Sequence, residues 1–111
     1  MTSILGSIKQ MLGIDPTDKS FDNELIVFIN SALSTVQKMG VGVSGYKISS
    51  DTETWADFLQ SRTDVEEIKT NVYSRVRLIF DPPQNAFVVK AIQDQIAEGN
   101  FYIEMYRDKP V

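Results

Sequence analysis

The 111-residue sequence contains no cysteine and no histidine. The missing cysteines exclude a disulfide framework and thiolate metal sites, and they suit a reducing cytoplasm. The missing histidines remove the side chain most used for proton transfer near neutral pH, which is also the commonest metal ligand. A serine or cysteine nucleophile activated by histidine is therefore excluded. We expect a protein that is not an enzyme and that holds no metal and no other cofactor.

Basic charge and long apolar runs are also scarce. The chain has 11 lysines and arginines against 15 acids, a formal net charge of −4, so no global positive field attracts nucleic acid or an anionic membrane. No apolar run reaches the ~18 residues of a membrane span, and Lys9 interrupts the apolar N-terminal segment, which argues against a signal peptide. With 42% apolar residues, the chain is expected to fold as one domain.

Apolar residues at helical spacing fill most of the sequence. They predict a compact all-α bundle of four to five helices, with a long irregular loop near 40–52 where three glycines fall. Ser20 is expected to cap the second helix, and Thr63 with Glu66 to form a capping box at the start of the fourth. The predicted helices span 3–12, 20–39, 53–60, 64–80 and 84–97.

Three apolar groups determine how the second half of the chain is expected to pack. Trp55 and Phe58 are either core residues or an exposed interface anchor. The predicted inward stripe of the fourth helix is Val65, Ile68, Val72, Val76 and Ile79. The predicted inward residues of the fifth helix are Phe87 or Val88, Ala91 or Ile92, and Ile96.

The segment Phe80-Asp81-Pro82-Pro83 joins the fourth and fifth predicted helices. The prolines lack an amide donor and cannot continue the incoming helix, although proline fits a first helical turn. Asp81 precedes a proline and is pushed out of helical geometry, and its carboxylate is placed to cap the following helix. We interpret this segment as a structural corner that fixes the angle between two helices.

The acidic clusters do not form a recognisable reaction centre or calcium loop. The acids within 15–24 do not follow the EF-hand spacing beyond the first aspartate, so roles in turns and caps are expected. Asp64, Glu66 and Glu67 stand at a predicted helix start, where acids interact favourably with the helix dipole. We predict no catalytic and no metal-ligating residue in either cluster.

Charge is distributed unevenly between residues 51 and 80. Segment 51–67 has six acids and one basic residue, whereas segment 68–80 has three basic residues and no acid. This pattern suits head-to-tail pairing between copies, but Arg75 and Arg77 could equally be solvated or paired within one chain. The candidate subunit-interface residues are Asp51, Glu53, Asp57, Asp64, Glu66, Glu67, Lys69, Arg75 and Arg77.

The pair Gly99-Asn100 is expected to bend or stop the fifth helix, because glycine inside a helix costs about 1 kcal/mol relative to alanine. Large apolar and aromatic side chains follow, and then a charged end. Such a segment either packs back on the core or docks on a partner. We therefore describe a single domain over 1–111 with a separable C-terminal segment, 99–111.

Several short segments, taken in their order and spacing, resemble a known family. They are Ile4-Leu5, Leu12-Gly13-Ile14-Asp15, Ser20-Phe21-Asp22-Asn23-Glu24-Leu25, Met39-Gly40-Val41-Gly42, Thr54-Trp55-Ala56-Asp57-Phe58 and the proline corner. Over roughly residues 4–96, the chain resembles the tailed-phage head–tail connectors. These are small helical adaptors of phages and prophages that attach under the portal.

The resemblance implies a structural protein that forms a homo-oligomeric ring of about twelve copies on the portal vertex. Such a ring extends the DNA channel and offers a platform for a head–tail stopper or tail protein. DNA passes through the lumen without sequence-specific binding, which the acidic balance suits. The expected location is the host cytoplasm during assembly and then the virion head–tail interface, with no membrane contact. The C-terminal region is expected to reach the portal protein, with candidate docking residues Phe101, Tyr102, Met105, Tyr106 and Arg107.

A second interpretation is a small helical DNA-binding regulator encoded by a phage or prophage. It depends on Lys69, Asn71, Arg75 and Arg77, which lie on the predicted fourth helix and would face a DNA groove. The excess of acid weighs against it, as does the need of this helix to bury its apolar side.

Overall fold

The computed structural model describes residues 3–60 and 62–108, with side chains described as far as Met105. The described residues form five helices and no strand, which confirms the predicted all-α bundle. Between the second and third helices the chain is irregular, as expected, and one isolated bridge joins Ser3 to Thr54. The helices are α1 Ile4–Leu12, α2 Asp22–Lys38, α3 Trp55–Leu59, α4 Val65–Phe80 and α5 Ala86–Asp108.

The central helix of the bundle is α4, which packs against both α2 and α5, while α1 lies against α2 and α4. Buried apolar side chains from all five helices and from the loop before α3 meet in one core. Trp55 and Phe58 belong to this core, with 6% and 0% of their surface exposed, so their interpretation as core residues is confirmed. The indole nitrogen of Trp55 donates a hydrogen bond of 2.7 Å to the buried hydroxyl of Ser7.

The predicted capping of α2 by Ser20 is wrong. The N-cap residue is Phe21, whose ring cannot make a capping bond. The Ser20 amide and side chain both bond to the Asp18 carboxylate instead, the amide at 3.0 Å. The first turn of α2 is held instead by an ion pair of 2.8 Å between Asp22 and Lys9. The Lys9 ammonium also donates to the carbonyl of Asp18 at 2.6 Å, so this buried lysine joins α1 to the turn before α2.

The capping box lies one helix earlier than predicted. Thr54 and Asp57 form a reciprocal box at the start of α3, whereas α4 has Asp64 at its N-cap and no side-chain capping bond from it. The Asp64 carboxylate is held by the Arg62 guanidinium, with 2.9 Å between Nη2 and Oδ2. This local ion pair draws the carboxylate away from the capping position.

The predicted stripe of α4 is correct at its centre and wrong at its end. Ile68, Val72 and Val76 are fully buried, but Ile79 is 55% exposed. The next inward position after Val76 lies four residues further on, at Phe80. The Phe80 ring takes that position and lies edge-on against Phe21, with ring centroids 5.3 Å apart.

The proline corner ends α4, but Asp81 does not cap α5. Asp81 is the C-cap of α4, and its amide donates to the carbonyl of Arg77 at 2.9 Å. The start of α5 is capped by Asn85, whose side-chain oxygen accepts the amide of Phe87 at 2.8 Å. The corner therefore includes Pro82, Pro83 and the two residues that follow before the helix resumes.

The expected break at Gly99-Asn100 is wrong, because α5 continues through these residues to Asp108. A Cβ added at Gly99 would lie 3.2 Å from Nδ2 of Asn71, so the glycine allows α5 to approach α4 closely. Asn100 Oδ1 accepts hydrogen bonds from Asn71 at 3.0 Å and from Arg75 at 2.9 Å. These contacts between helices offset the low helix propensity of the pair. The division into one domain with a separable segment 99–111 stays a prediction.

Candidate functional site

The acidic turn before α2 has a structural role. Asp15 accepts hydrogen bonds from the amide and hydroxyl of Thr17 at 2.8 and 2.7 Å. The bonds from Thr17 lower the pKa of Asp15, and the bonds from Ser20 lower that of Asp18. No group of three or more acidic side chains suited to a metal ion occurs within residues 3–60 and 62–108.

Three of the six acids in the candidate subunit interface bind groups of their own chain. Glu53 accepts the amides of Ser49 and Ser50; burial raises the pKa of this carboxyl, but these hydrogen bonds lower it overall. Asp57 completes the capping box of α3. Asp64 is paired with Arg62, and its side chain is only 7% exposed. These carboxylates are already used in the fold.

The other three acids of the candidate interface point to solvent. Asp51 lies 3.9 Å from Lys19, and both side chains are largely exposed. Glu66 is 86% exposed and makes a long contact of 3.5 Å with Lys69, one turn away. Glu67 is also exposed. The structure thus leaves Asp51, Glu66 and Glu67 accessible to a neighbouring chain.

Among the basic residues of the candidate interface, Arg75 is committed to the bundle. Its guanidinium donates to Asn71 at 2.8 Å and to Asn100 at 2.9 Å, and burial lowers its pKa. Together with the bond from Asn71 to Asn100 these contacts form a three-residue clasp between α4 and α5, which we call the carboxamide clasp. Arg77 makes a weaker contact, 3.5 Å to the hydroxyl of Tyr73.

The carboxamide clasp bears on the alternative DNA-binding interpretation. Asn71 is 4% exposed, and Arg75 is held between two helices. Two of the four residues proposed to face a DNA groove therefore make their contacts inside the bundle instead. The structure does not favour this interpretation.

A groove of about 400 Å³ runs between α4 and α5 beside the carboxamide clasp. Its polar wall includes Glu66 and Glu67 of α4 and Glu98 of α5, and Tyr102 lies along its edge. Glu66 and Glu67 therefore adjoin an acid on α5, Glu98, that the charge pattern of 51–80 did not include.

The described C-terminal docking candidates lie at the surface, whereas a residue between them is buried. Phe101, Tyr102 and Met105 are 62%, 52% and 45% exposed, and the rings of Phe101 and Tyr102 meet edge to face at 5.6 Å. Ile103 is fully buried, and its carbonyl accepts a hydrogen bond of 3.2 Å from Arg62. The side chains of Tyr106 and Arg107 lie outside the described residues.

Sequence reasoning missed one large exposed side chain at the other end of α5. Either Phe87 or Val88 was expected to point inward, but both are exposed, and Phe87, at 86%, is more exposed than any other large hydrophobic residue described. The available signal was the spacing of Ile92, Ile96 and Ile103, which define an inward face on the opposite side of the helix. Of the alternatives predicted for the next turn, Ile92 is the buried one.

Within the described part of the chain, no helix is both long enough and apolar enough to cross a bilayer.

Comparison with known proteins gives one match. The model of a family described as phage connector protein matches residues 4–110. No curated protein matches the chain significantly. No solved structure matches it significantly either.

Proposed function

Because the chain belongs to the phage connector protein family over residues 4–110, we propose that it forms a ring on the portal vertex. The ring extends the DNA channel and offers a platform for a stopper or tail protein. A connector role at the phage head–tail junction is what the family supports directly, and this family is structural rather than catalytic. Ring formation, the DNA channel and the platform go beyond what the family match supports and belong to the proposal.

The observation that carries the proposal is the exposed face of a firmly held helix. α5 is fixed to α4 by the carboxamide clasp and to the core by Ile103, yet it leaves Phe101, Tyr102 and Met105 in solvent. Exposed aromatic residues on a rigid element are typical of interaction sites, because little side-chain entropy is lost when they bind. We propose these three residues as the contact with the portal protein.

The ring requires a heterologous contact, since one repeated head-to-tail interface generates a closed ring. We propose that accessible acids of segment 51–67 meet basic residues of segment 69–77 on a neighbour. Glu66 and Glu67 are the acids best placed for this contact, and Arg77 makes fewer contacts in its own chain than Arg75 does. Each exposed pair contributes about 0–1 kcal/mol, so several pairs and apolar contacts are needed.

Portal binding tests the docking proposal without disturbing the core. Phe101, Tyr102 and Met105 are replaced together by serine while Ile103 is kept, and binding to portal-bearing heads that lack tails is measured. The variant should remain folded and lose binding. A matched control replaces Met11, which is 38% exposed on α1, and should bind normally. Normal binding by the triple variant would reject α5 as the docking element.

Salt and charge reversal test the acid-to-base contact between subunits. Association should weaken as salt rises, because exposed charges are screened. Arg77→Glu should weaken ring formation, whereas Lys47→Glu is the control, because Lys47 is exposed in the loop before α3, away from the proposed contact. Arg75 is not a suitable target, since its loss would open the carboxamide clasp. Equal assembly of both variants at low salt would reject this contact.

A further inference from the structure

The first half of α5 has an outward face that no other described element covers. Phe87, Ala91, Asp94 and Glu98 are all exposed and follow one another at steps of four, three and four residues. That spacing places them along one side of a helix, over about 16 Å. The face is apolar at its start and acidic at its end. We call it the α5 face.

The outer side of α2 has the same spacing. Val27, Ser31, Ser34 and Lys38 are exposed and are also separated by four, three and four residues. Val27 is 62% exposed, although the residues around it on this side are polar. This face is therefore apolar at its start and basic at its end. We call it the α2 face.

The two faces lie on helices that α4 separates. α4 packs against both α2 and α5, and within the described residues α2 and α5 make no comparable contact with each other. The molecule is flat, with principal extents of 43 × 35 × 21 Å. The α2 and α5 faces therefore belong to different sides of the subunit, as a repeating head-to-tail contact requires.

We propose that the α5 face of one copy packs along the α2 face of a second copy, with the two helices running in the same direction. This arrangement places Phe87 against Val27 and the small residue Ala91 against Ser31. It also places Glu98 beside Lys38. Neither Glu98 nor Lys38 forms an ion pair with a described residue of its own chain. The inference rests on the proposed ring and assigns it a second contact, apart from the pairing of segments 51–67 and 69–77.

Charge selects this arrangement over two others. If two α5 faces met around a twofold axis with antiparallel helices, Phe87 of one copy would lie against Glu98 of the other and Ala91 against Asp94, so neither an apolar pair nor an ion pair would form. If the α5 and α2 faces met antiparallel, Phe87 would lie against Lys38, and Glu98 against Val27. The parallel pairing of unlike faces joins apolar to apolar and acid to base.

Cysteine cross-linking tests the pairing directly, because the chain has no cysteine of its own. Phe87→Cys and Val27→Cys proteins are prepared separately, mixed at high concentration and oxidised. A disulfide requires Cα atoms about 4.4–6.8 Å apart. The mixture should give a covalent dimer, whereas each variant alone should give little. A protein with both substitutions should give a ladder of linked chains, because every copy then offers both faces.

Controls separate the competing arrangements. Phe87→Cys mixed with Lys38→Cys should not cross-link, and Met11→Cys provides an exposed thiol outside both faces. Efficient linking of Phe87→Cys to Glu98→Cys would indicate the twofold arrangement and overturn the proposal, as would efficient linking of Phe87→Cys to Lys38→Cys. Failure of the Phe87–Val27 mixture to link above the Met11 background would also overturn it, whether or not the native protein is oligomeric.

Charge exchange provides a second readout. Glu98→Lys should weaken self-association roughly fivefold, the scale of one exposed ion pair, and adding Lys38→Glu in the same chain should restore it. The absence of restoration would contradict the pairing. Portal binding, measured separately, reports on the proposed function. A protein that binds the portal but does not cross-link would reject this inference alone, and one that cross-links but does not bind the portal would reject the docking role alone.

Discussion

The first four helices and α5 use their apolar residues in opposite ways. In α1–α4 the large side chains mostly point inward, and Ile8, Leu33 and Phe58 are fully buried. In α5, Ile103 is fully buried, but Phe87 and Phe101 stand 86% and 62% exposed. The first region forms a core that is complete within one subunit. The second leaves apolar surface exposed, which is what a protein built to join others requires.

α5 nevertheless keeps a defined position on the bundle. Its attachment combines one deeply buried apolar side chain with the carboxamide clasp, whose hydrogen bonds come from Asn71 and Arg75 on α4. Hydrogen bonds need particular geometry, so they fix the register of α5 on α4 more closely than apolar contact alone. The outward side chains of α5 are thus presented at fixed positions.

The largest expected effect on stability comes from the core of the first region. Phe58→Ala removes a fully buried ring that packs against Tyr46 with centroids 5.2 Å apart, so unfolding should become easier by about 3–5 kcal/mol. The matched variant Phe87→Ala should change stability by less than ~0.5 kcal/mol. Chemical denaturation of both proteins measures the contrast. Similar losses of stability in the two variants would contradict the proposed difference between α1–α4 and α5.

The next effect concerns the carboxamide clasp. Asn100→Ala leaves Nδ2 of Asn71 and Nη2 of Arg75 without their shared acceptor, which should cost about 1–3 kcal/mol. Gln93→Ala, on an exposed position of α5, serves as the control and should be nearly neutral. Hydrogen exchange of the α5 amides should also accelerate in Asn100→Ala. Unchanged exchange would mean that apolar contacts hold the helix without the carboxamide clasp.

The proline corner should have a smaller effect. Replacing Pro82 and Pro83 by glycine should lower stability by about 1 kcal/mol or more, because the unfolded chain gains freedom and the angle between α4 and α5 is less restricted. Thermal melting of the double variant measures this. A melting temperature equal to that of the native protein would show that the caps and the clasp set the angle without help from the prolines.

The smallest expected change in stability belongs to the α5 surface. Serine at Phe101, Tyr102 and Met105 should alter the free energy of unfolding by no more than about 0.5 kcal/mol per site. Ile103→Ala, only one residue from Tyr102, should cost about 2–5 kcal/mol. Denaturation curves for the two variants compare the stability contributed by exposed and by buried positions of the same helix. A large loss of stability in the serine variant would indicate that these residues contribute to the core.

Sequence pattern predicted what depends on near neighbours and failed where distant residues act. The centre of the α4 stripe, Ile68, Val72 and Val76, follows from local periodicity and was correctly predicted. The continuity of α5 through Gly99 depends on Asn71, far away in the chain, and no local rule indicates that partner. The capping predictions failed for a local reason, because polar side chains close in sequence bind each other, as Arg62 binds Asp64.

The candidate site was predicted less completely than the fold. The charge pattern identified Glu66 and Glu67 as accessible acids, but it could not separate them from Asp64, which is bound to Arg62. The docking candidates included Phe101 and Met105, both exposed. Exposure depends on which side of a helix meets the rest of the bundle, and that becomes known only once the helices are packed.

The most direct test of the account is the structure of the protein bound to its portal, determined by electron cryomicroscopy. The account predicts a ring of connector subunits in which the side chains of Phe101, Tyr102 and Met105 are covered by the portal, while Ile103 remains in the core of its own subunit. A bound connector whose α5 surface faces solvent would contradict the proposal that α5 is the docking element.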